Sequence, residues 1–280
     1  MAPGAMPRRW AVDLGVRDRG YLIVGGTAGM GLAAAEVLVA EGARVAISGR
    51  DRERADAAVD RLTAHAGPDG SAFAVVGDVN RAGEADRVVD QAAAALGGLA
   101  GVAVTTGTST AAHSDPESSS DELWAEAFDD ILMGTVRTVR AAVPRLVEGG
   151  GGTVVTTSAY SIHAYHPARL PYVTLKSGVA AFTKTIARAY GQKGVRANCV
   201  CPGAIETGGL AAMRALLARE RGVPPEGLLE QVMVEEWHMD VALGRPGKPE
   251  EVGDLFAFLL SPRAGYLTGA VINIDGGTEF

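Results

Sequence analysis

Residues 21–38 read YLIVGGTAGMGLAAAEVL. A short β-branched run ends in glycine, and an alanine- and leucine-rich stretch with helical spacing follows. Gly25, Gly29 and Gly31 fall at the junction. Glycines there let the backbone turn tightly and approach a pyrophosphate, while the amides and dipole of a helix N-terminus hold its charge. The spacing is GxxxGxG rather than GxGxxG. With 37 glycines in the chain, glycine clusters alone say little. The strand before and the helix after give these three their meaning.

The same rhythm continues outward. YLIVG (21–25), RVAIS (44–48), AFAVV (72–76), GVAVT (101–105), GTVVTTS (152–158), VRANCV (195–200) and AVINID (270–275) read as strands. They are apolar without alternation, as expected for strands covered on both faces. Helical stretches lie near 29–41, 51–65, 81–96, 118–147, 170–191 and 249–260. This βαβ alternation predicts an α/β fold. It is a single doubly wound, Rossmann-like parallel sheet of about seven strands with helices on both faces. Residues 1–19 read as a loose N-terminal extension and 20–280 as one domain. One segment breaks the rhythm: two helical stretches within 208–248 separate the sixth strand from the last helix. An insertion after the C-terminal end of a strand lies over the ligand crevice, so 208–248 reads as a substrate lid; the alternative is an extra packed helical pair.

Composition excludes several classes. The 280 residues are 47% hydrophobic and 21% charged, an ordinary globular balance. A net charge of −7 gives no electrostatic reason for a nucleic-acid or anionic-membrane partner. No apolar run reaches the roughly 18 residues of a spanning helix, and the N-terminus lacks the apolar core of a secretory signal. These features predict a cytoplasmic protein. Cys199 and Cys201 read as two buried thiols in a reducing compartment. Neither that pair nor His163 and His166 has enough neighbouring ligands for a metal, so no metal site is expected.

The second strand ends ISGRDRER. A carboxylate at that end binds the adenosine ribose 2′-hydroxyl, whereas an arginine accommodates a 2′-phosphate. Gly49 holds the acidic position and Arg50 follows, which favours NADP(H) over NAD(H). The bland reading of Arg50 is a solvated residue at a helix start, with Asp51 as N-cap. Asp78 ends the third strand, as an acceptor for the adenine amino group or as a helix cap.

Tyr172 and Lys176 are four apart on a helix and share a face. An ammonium beside a phenol stabilises the phenolate and lowers its pKa, which suits proton transfer to a carbonyl. Six tyrosines and four lysines in 280 residues make a chance Y-x3-K uncommon.

At this point the sequence resembles the short-chain dehydrogenase/reductase family from about Gly20 to Gly277. The resemblance rests on GGTAGMG (25–31), Asp78, YVTLK (172–176), PGAIET (202–207) and GRPGKPEEV (244–252) with the terminal LTGAVINIDGG (267–277). It implies that Tyr172 is the acid/base and that Lys176 tunes it and binds the nicotinamide ribose. It also implies a dinucleotide site formed by Gly25, Thr27, Gly29, Met30, Gly31, Arg50, Asp78, Val79, Gly107, Pro202, Gly203, Ile205 and Thr207. Assembly as a homotetramer or homodimer is implied as well.

Four departures stand out. Val24 replaces the threonine of the family's TG, and VTTG (104–107) replaces NNAG. Both changes remove side chains that tie the cofactor loops together. Ile131 occupies the usual active-site asparagine position. The substrate-orienting serine lies 13 residues before the tyrosine in the family, and here that count lands on Ala159. Ser158 takes the role if the loop is one residue longer; Ser161 is the other candidate.

Two functions follow. One is an NADPH-dependent reductase, or the reverse alcohol dehydrogenase, acting on a small carbonyl compound. Leu210, Met213, Met233 and Trp237 in the lid suggest an apolar or cyclic one. The other is a dinucleotide-binding sensor or assembly protein with little turnover, motivated by Ile131, VTTG and the displaced serine.

Overall fold

The computed structural model describes residues 13–107, 116–165, 169–235 and 239–278. The strands are β1 (Gly20–Val24), β2 (Arg44–Gly49), β3 (Ser71–Val76), β4 (Gly101–Val104), β5 (Gly152–Thr157), β6 (Val195–Pro202) and β7 (Val271–Ile274). They form one parallel seven-stranded sheet in the order β3-β2-β1-β4-β5-β6-β7. The doubly wound fold expected from the sequence is therefore present.

The unalternating apolar strands have a physical explanation in the two cores. Ile23, Val45, Ile47, Ala103, Val155 and Val200 point to one face. They meet α1 (Gly29–Ala40), α2 (Arg52–Ala64) and α9 (Pro249–Leu260). Leu22, Val24, Ala46, Val102, Val104 and Val154 point to the other. There they meet α3 (Glu84–Leu96), α5 (Gly134–Glu148) and α6 (Leu170–Tyr190). Successive strand residues point to opposite faces, so both sets must be apolar when both faces are covered.

The N-terminal stretch departs from expectation. Residues 1–12 lie outside the described residues, but 13–19 are not loose. Val16 is buried in the first core, the Asp18 amide donates to Gly42 O (3.0 Å), and Arg263 Nε donates to Asp13 O (2.6 Å). The insertion is helical, as α7 (Gly208–Arg221) and α8 (Leu228–Glu235). No described helix is long and apolar enough to cross a membrane.

Helices α1 and α9 pack in close contact. A Cβ on Gly253 would lie 2.7 Å from the Ala33 carbonyl carbon and 2.8 Å from its Cβ. Gly253→Val should therefore destabilise the protein by about 1–3 kcal/mol and lower Tm by several degrees. An unchanged thermal unfolding curve would show that the helices part without cost.

Candidate active site

A cleft of about 620 Å3 opens at the carboxyl ends of β1 to β4. Gly25, Thr27, Arg50, Asp78, Val79 and Gly107 all line it, so the structure brings together six of the residues expected around a dinucleotide. Gly25 has φ +83°, a conformation that favours glycine. Gly31 is required by space: a Cβ there would meet Gly25 O and Thr105 Oγ1, each at 2.5 Å. Met30 does not line the cleft; it packs, half-buried, against the first core. Thr207, at the N-cap of α7, lies over the glycine turn, with Cγ2 3.2 Å from a Cβ placed on Gly29.

The feared loss of loop order is met by Thr105. Its Oγ1 donates to Val24 O (2.9 Å), as does its amide (2.9 Å), so β1 and the loop after β4 remain tied. Ser48 Oγ and Thr106 Oγ1 are buried in this cleft without a hydrogen-bond partner among the described residues. Unpartnered buried hydroxyls beside a glycine turn suit a polar, phosphate-bearing ligand, so these residues fit a dinucleotide.

At the adenosine end, a Cβ on Gly49 would fall 2.7 Å from Thr27 Cγ2, leaving little room for a carboxylate. Asp51 is the N-cap of α2 and accepts from the Arg54 amide (3.0 Å). That leaves Arg50 and Arg54 lining the cleft, neither in an ion pair among the described residues. Asp78 accepts from the Asn80 amide (3.2 Å) within its own turn; α3 starts later, after Gly83, so Asp78 does not cap it.

A second cavity, about 350 Å3, lies beyond the ends of β5 and β6. Tyr172 lines it with Pro202, Gly203 and Ile205. Pro171 sits in the first turn of α6, where its missing N–H has no helical acceptor. One turn on, Lys176 is 2% exposed. Its Nζ donates to Thr157 O (3.1 Å) and lies 5.7 Å from the centre of the Tyr172 ring.

Electrostatics differ from the sequence expectation. Burial pushes the Tyr172 hydroxyl up to about 12, and the charge that opposes this is that of Arg169, not Lys176. Burial pushes the Lys176 ammonium down to about 8; the buried thiols Cys199 and Cys201 and the carboxylate of Asp130 pull against it. Desolvation outweighs pairing at both groups: no carboxylate among the described residues forms an ion pair with Lys176, and the Arg169 charge offsets burial at Tyr172 only in part.

Neither candidate serine faces the cavity. Ser158 is buried, with Oγ donating to Lys176 O (2.8 Å), so it anchors α6 to the end of β5. Ser161 is buried in the turn Tyr160–Ile162 without a side-chain partner. Ala159, the position the family count reaches, is the residue that lines the cavity. The extra loop residue that would have brought Ser158 into the role has not shifted the register. His163 is exposed and does not line the cavity; His166 lies outside the described residues.

Ile131 is buried against Ala127, Leu175 and the Tyr172 ring. It sits in a π-helical turn, Phe128–Met133, a geometry frequent at functional sites. A Cβ on Gly107 would lie 3.3 Å from the Ile131 carbonyl, so this turn supports the loop after β4. Asp130 reaches the cofactor cleft and accepts from Asn80 Nδ2 (2.9 Å). In the 208–248 insertion, Leu210 and Met213 line this second cavity, whereas Met233 is packed with Leu229 and Val241; Trp237 lies outside the described residues.

A doubly wound parallel sheet, a glycine turn at β1–α1 and a Tyr–Lys pair beyond β5 together define a nucleotide-cofactor oxidoreductase. Residues 25–279 match the family model described as enoyl-(acyl carrier protein) reductase. Dehydrogenase/reductase SDR family member 4 of Bos taurus is 27% identical over 99% of this chain and 92% of its own length. A short-chain type dehydrogenase/reductase from Mycobacterium ulcerans has a TM-score of 0.82 at 32% identity, over 93% of this chain and 90% of that one. L-Sorbose reductase from Gluconobacter frateurii, solved with NADPH and L-sorbose, has a TM-score of 0.88 at 27% identity, over 95% and 98% of the two chains. The chain belongs to the short-chain dehydrogenase/reductase family, whose members bind NAD(P)(H).

The buried ammonium has a measurable signature. Its folded pKa of about 8 lies below the ordinary 10.5, so the unfolded chain binds more protons between those values. Stability from this residue therefore rises with pH through that window, by up to about 3 kcal/mol. Denaturant unfolding of Lys176→Met between pH 8 and pH 10 should lack this rise; an identical rise in the variant would place the titration elsewhere.

Proposed function

We propose that this protein is an NADPH-dependent carbonyl reductase, or the reverse alcohol dehydrogenase, with Tyr172 as acid/base. The observation that carries this reading is Tyr172 on the wall of a cavity, one helical turn from a buried lysine, with a cleft that fits a dinucleotide at the carboxyl ends of β1 to β4. Gly25, Thr27, Gly29 and Gly31 would hold the pyrophosphate, Arg50 and Arg54 the 2′-phosphate, and Asp78 the adenine. Lys176 would hold the nicotinamide ribose, and Pro202, Gly203, Ile205 and Thr207 the nicotinamide. The dinucleotide, when bound, supplies the hydride.

Tyr172, like any phenol, keeps its proton at neutral pH, and burial, which raises its pKa to about 12, holds that proton more firmly. That suits an acid that donates to a carbonyl oxygen only as charge develops there. Lys176, near its own titration point, sits beside the ring with one hydrogen bond to Thr157 O and is placed to return the proton. The helices α7 and α8 act as the lid, with Leu210 and Met213 facing the substrate. The NADPH in the sorbose reductase structure supports the cofactor preference.

Tyr172→Phe should lower kcat by about 10²–10⁴-fold with NADPH affinity nearly unchanged. Steady-state NADPH oxidation and fluorescence titration measure the two, and near-full activity would remove Tyr172 from the role. Arg50→Ala combined with Arg54→Ala should weaken NADPH binding about 10–100-fold and spare NADH. Equal losses for the two cofactors would overturn the NADP(H) assignment. Ala159 and Ile131 favour a second reading, a dinucleotide sensor with little turnover. It predicts NADPH binding with no ketone reduced in either wild type or Tyr172→Phe.

A further inference from the structure

Among the described residues, one charged side chain lines the substrate cavity: Arg169, the N-cap residue of α6, with no acidic residue beside it on the wall. Ile205, Leu210, Met213 and Met239 make the rest of its wall largely apolar. The hydrogen bond that Arg169 makes is neutral: its Nη1 donates to Tyr160 Oη (3.0 Å). Tyr160 is itself buried, wedged between the cavity and the packed lid residues Leu229, Met233 and Met239. Several exposed arginines elsewhere find carboxylates, as Arg17–Asp69, Arg145–Asp90 and Arg245–Glu251 do. Arg214, close to the same cavity wall in sequence, is matched by Glu206. A half-buried guanidinium in an apolar cavity without a counter-charge is costly unless a ligand brings one.

We propose that Arg169, held in place by Tyr160, is the anion-binding end of this cavity, and that the carbonyl compound reduced here is an oxo acid whose carboxylate pairs with that guanidinium. The proposal rests on the reductase reading for its chemistry. Arg–carboxylate pairing is directional and bidentate, so it would fix how the substrate lies against Tyr172. It would supply orientation that Ala159, lacking a hydroxyl, does not. The step balances: the carbonyl carbon gains a hydride from the reduced nicotinamide dinucleotide, which is oxidised. The carbonyl oxygen gains the Tyr172 proton, and the product is the hydroxy acid. A cavity of about 350 Å3 suits a small oxo acid. Arg169 binds and orients; Tyr160 is a positioning residue.

The test has a binding arm and a turnover arm. Oxamate, a carboxylate that does not undergo reduction, is titrated by calorimetry into the NADPH complex, beside the neutral diamide oxamide. Wild type should bind oxamate at least 10-fold more tightly than oxamide. Arg169→Gln, which keeps a donor for Tyr160, should lose about 10–100-fold for oxamate. Arg169→Lys should recover part of it. In turnover, benzoylformate and 3-oxobutanoate are compared with their ethyl esters. The acid-to-ester ratio of kcat/KM should favour the acids in wild type and fall about 10–100-fold in Arg169→Gln. Equal binding of oxamate and oxamide by wild type, or esters reduced as well as acids, overturns the anion site while leaving the reductase reading intact. Tight, Arg169-dependent oxamate binding with no reduction of any carbonyl overturns the reductase reading and leaves the anion site standing.

Discussion

Strands β1 and β4 lie side by side, yet the chain between them runs out through β2 and β3 and returns. Connections leaving these two neighbours go to opposite directions, and a crevice opens at their carboxyl ends. Everything polar in the site hangs on that crevice. Its floor is held by Thr105, whose hydroxyl and amide both reach Val24 O. Its turn is possible only because Gly25 and Gly31 leave room for backbone and for the threonine hydroxyl. Parallel pairing with helices on both faces makes the crevice rigid, since each strand is buried above and below.

A second constraint is the burial of charge beside that crevice. Lys176 lies under the end of β5, with the Thr157 carbonyl as its hydrogen-bond acceptor. Ser158 closes the same corner by donating to the Lys176 carbonyl. A side chain and a backbone group of one residue are thus both tied to adjacent residues of one strand end. This arrangement sets the Tyr172 ring on the cavity wall, and the low-dielectric surroundings raise the pKa of the phenol and lower that of the ammonium.

Much of this was legible in the chain itself. Seven apolar runs separated by helical stretches announced the sheet, and the Tyr172–Lys176 spacing announced the pair. Two cysteines read as buried thiols are buried thiols. The misjudged features are those whose outcome depends on residues far apart in sequence. Thr105 compensates for Val24 because β4 pairs with β1, 81 positions away. Asn80 holds Asp130 across 50 positions. Counting along a loop could not choose between Ser158 and Ser161, and neither of them faces the cavity; the Lys176 carbonyl holds Ser158, the turn Tyr160–Ile162 buries Ser161, and Ala159 lines the cavity. Met233 has the composition of a lid residue, but its neighbours Leu229 and Val241 hold it in a packed cluster.

The sequence by itself determined the class of fold, the place of the glycine turn and the helix that carries the tyrosine and lysine. Hydrophobic period, glycine freedom and four-residue spacing are local properties, and local properties survive in a string of letters. Only the tertiary structure decided how polar groups are partnered and how far each is desolvated. It placed Arg169, Tyr160 and Ala159 on the cavity wall and made burial outweigh pairing at Tyr172 and Lys176. Desolvation and hydrogen bonding depend on what surrounds a group in three dimensions, and those surroundings come from strands and helices distant along the chain.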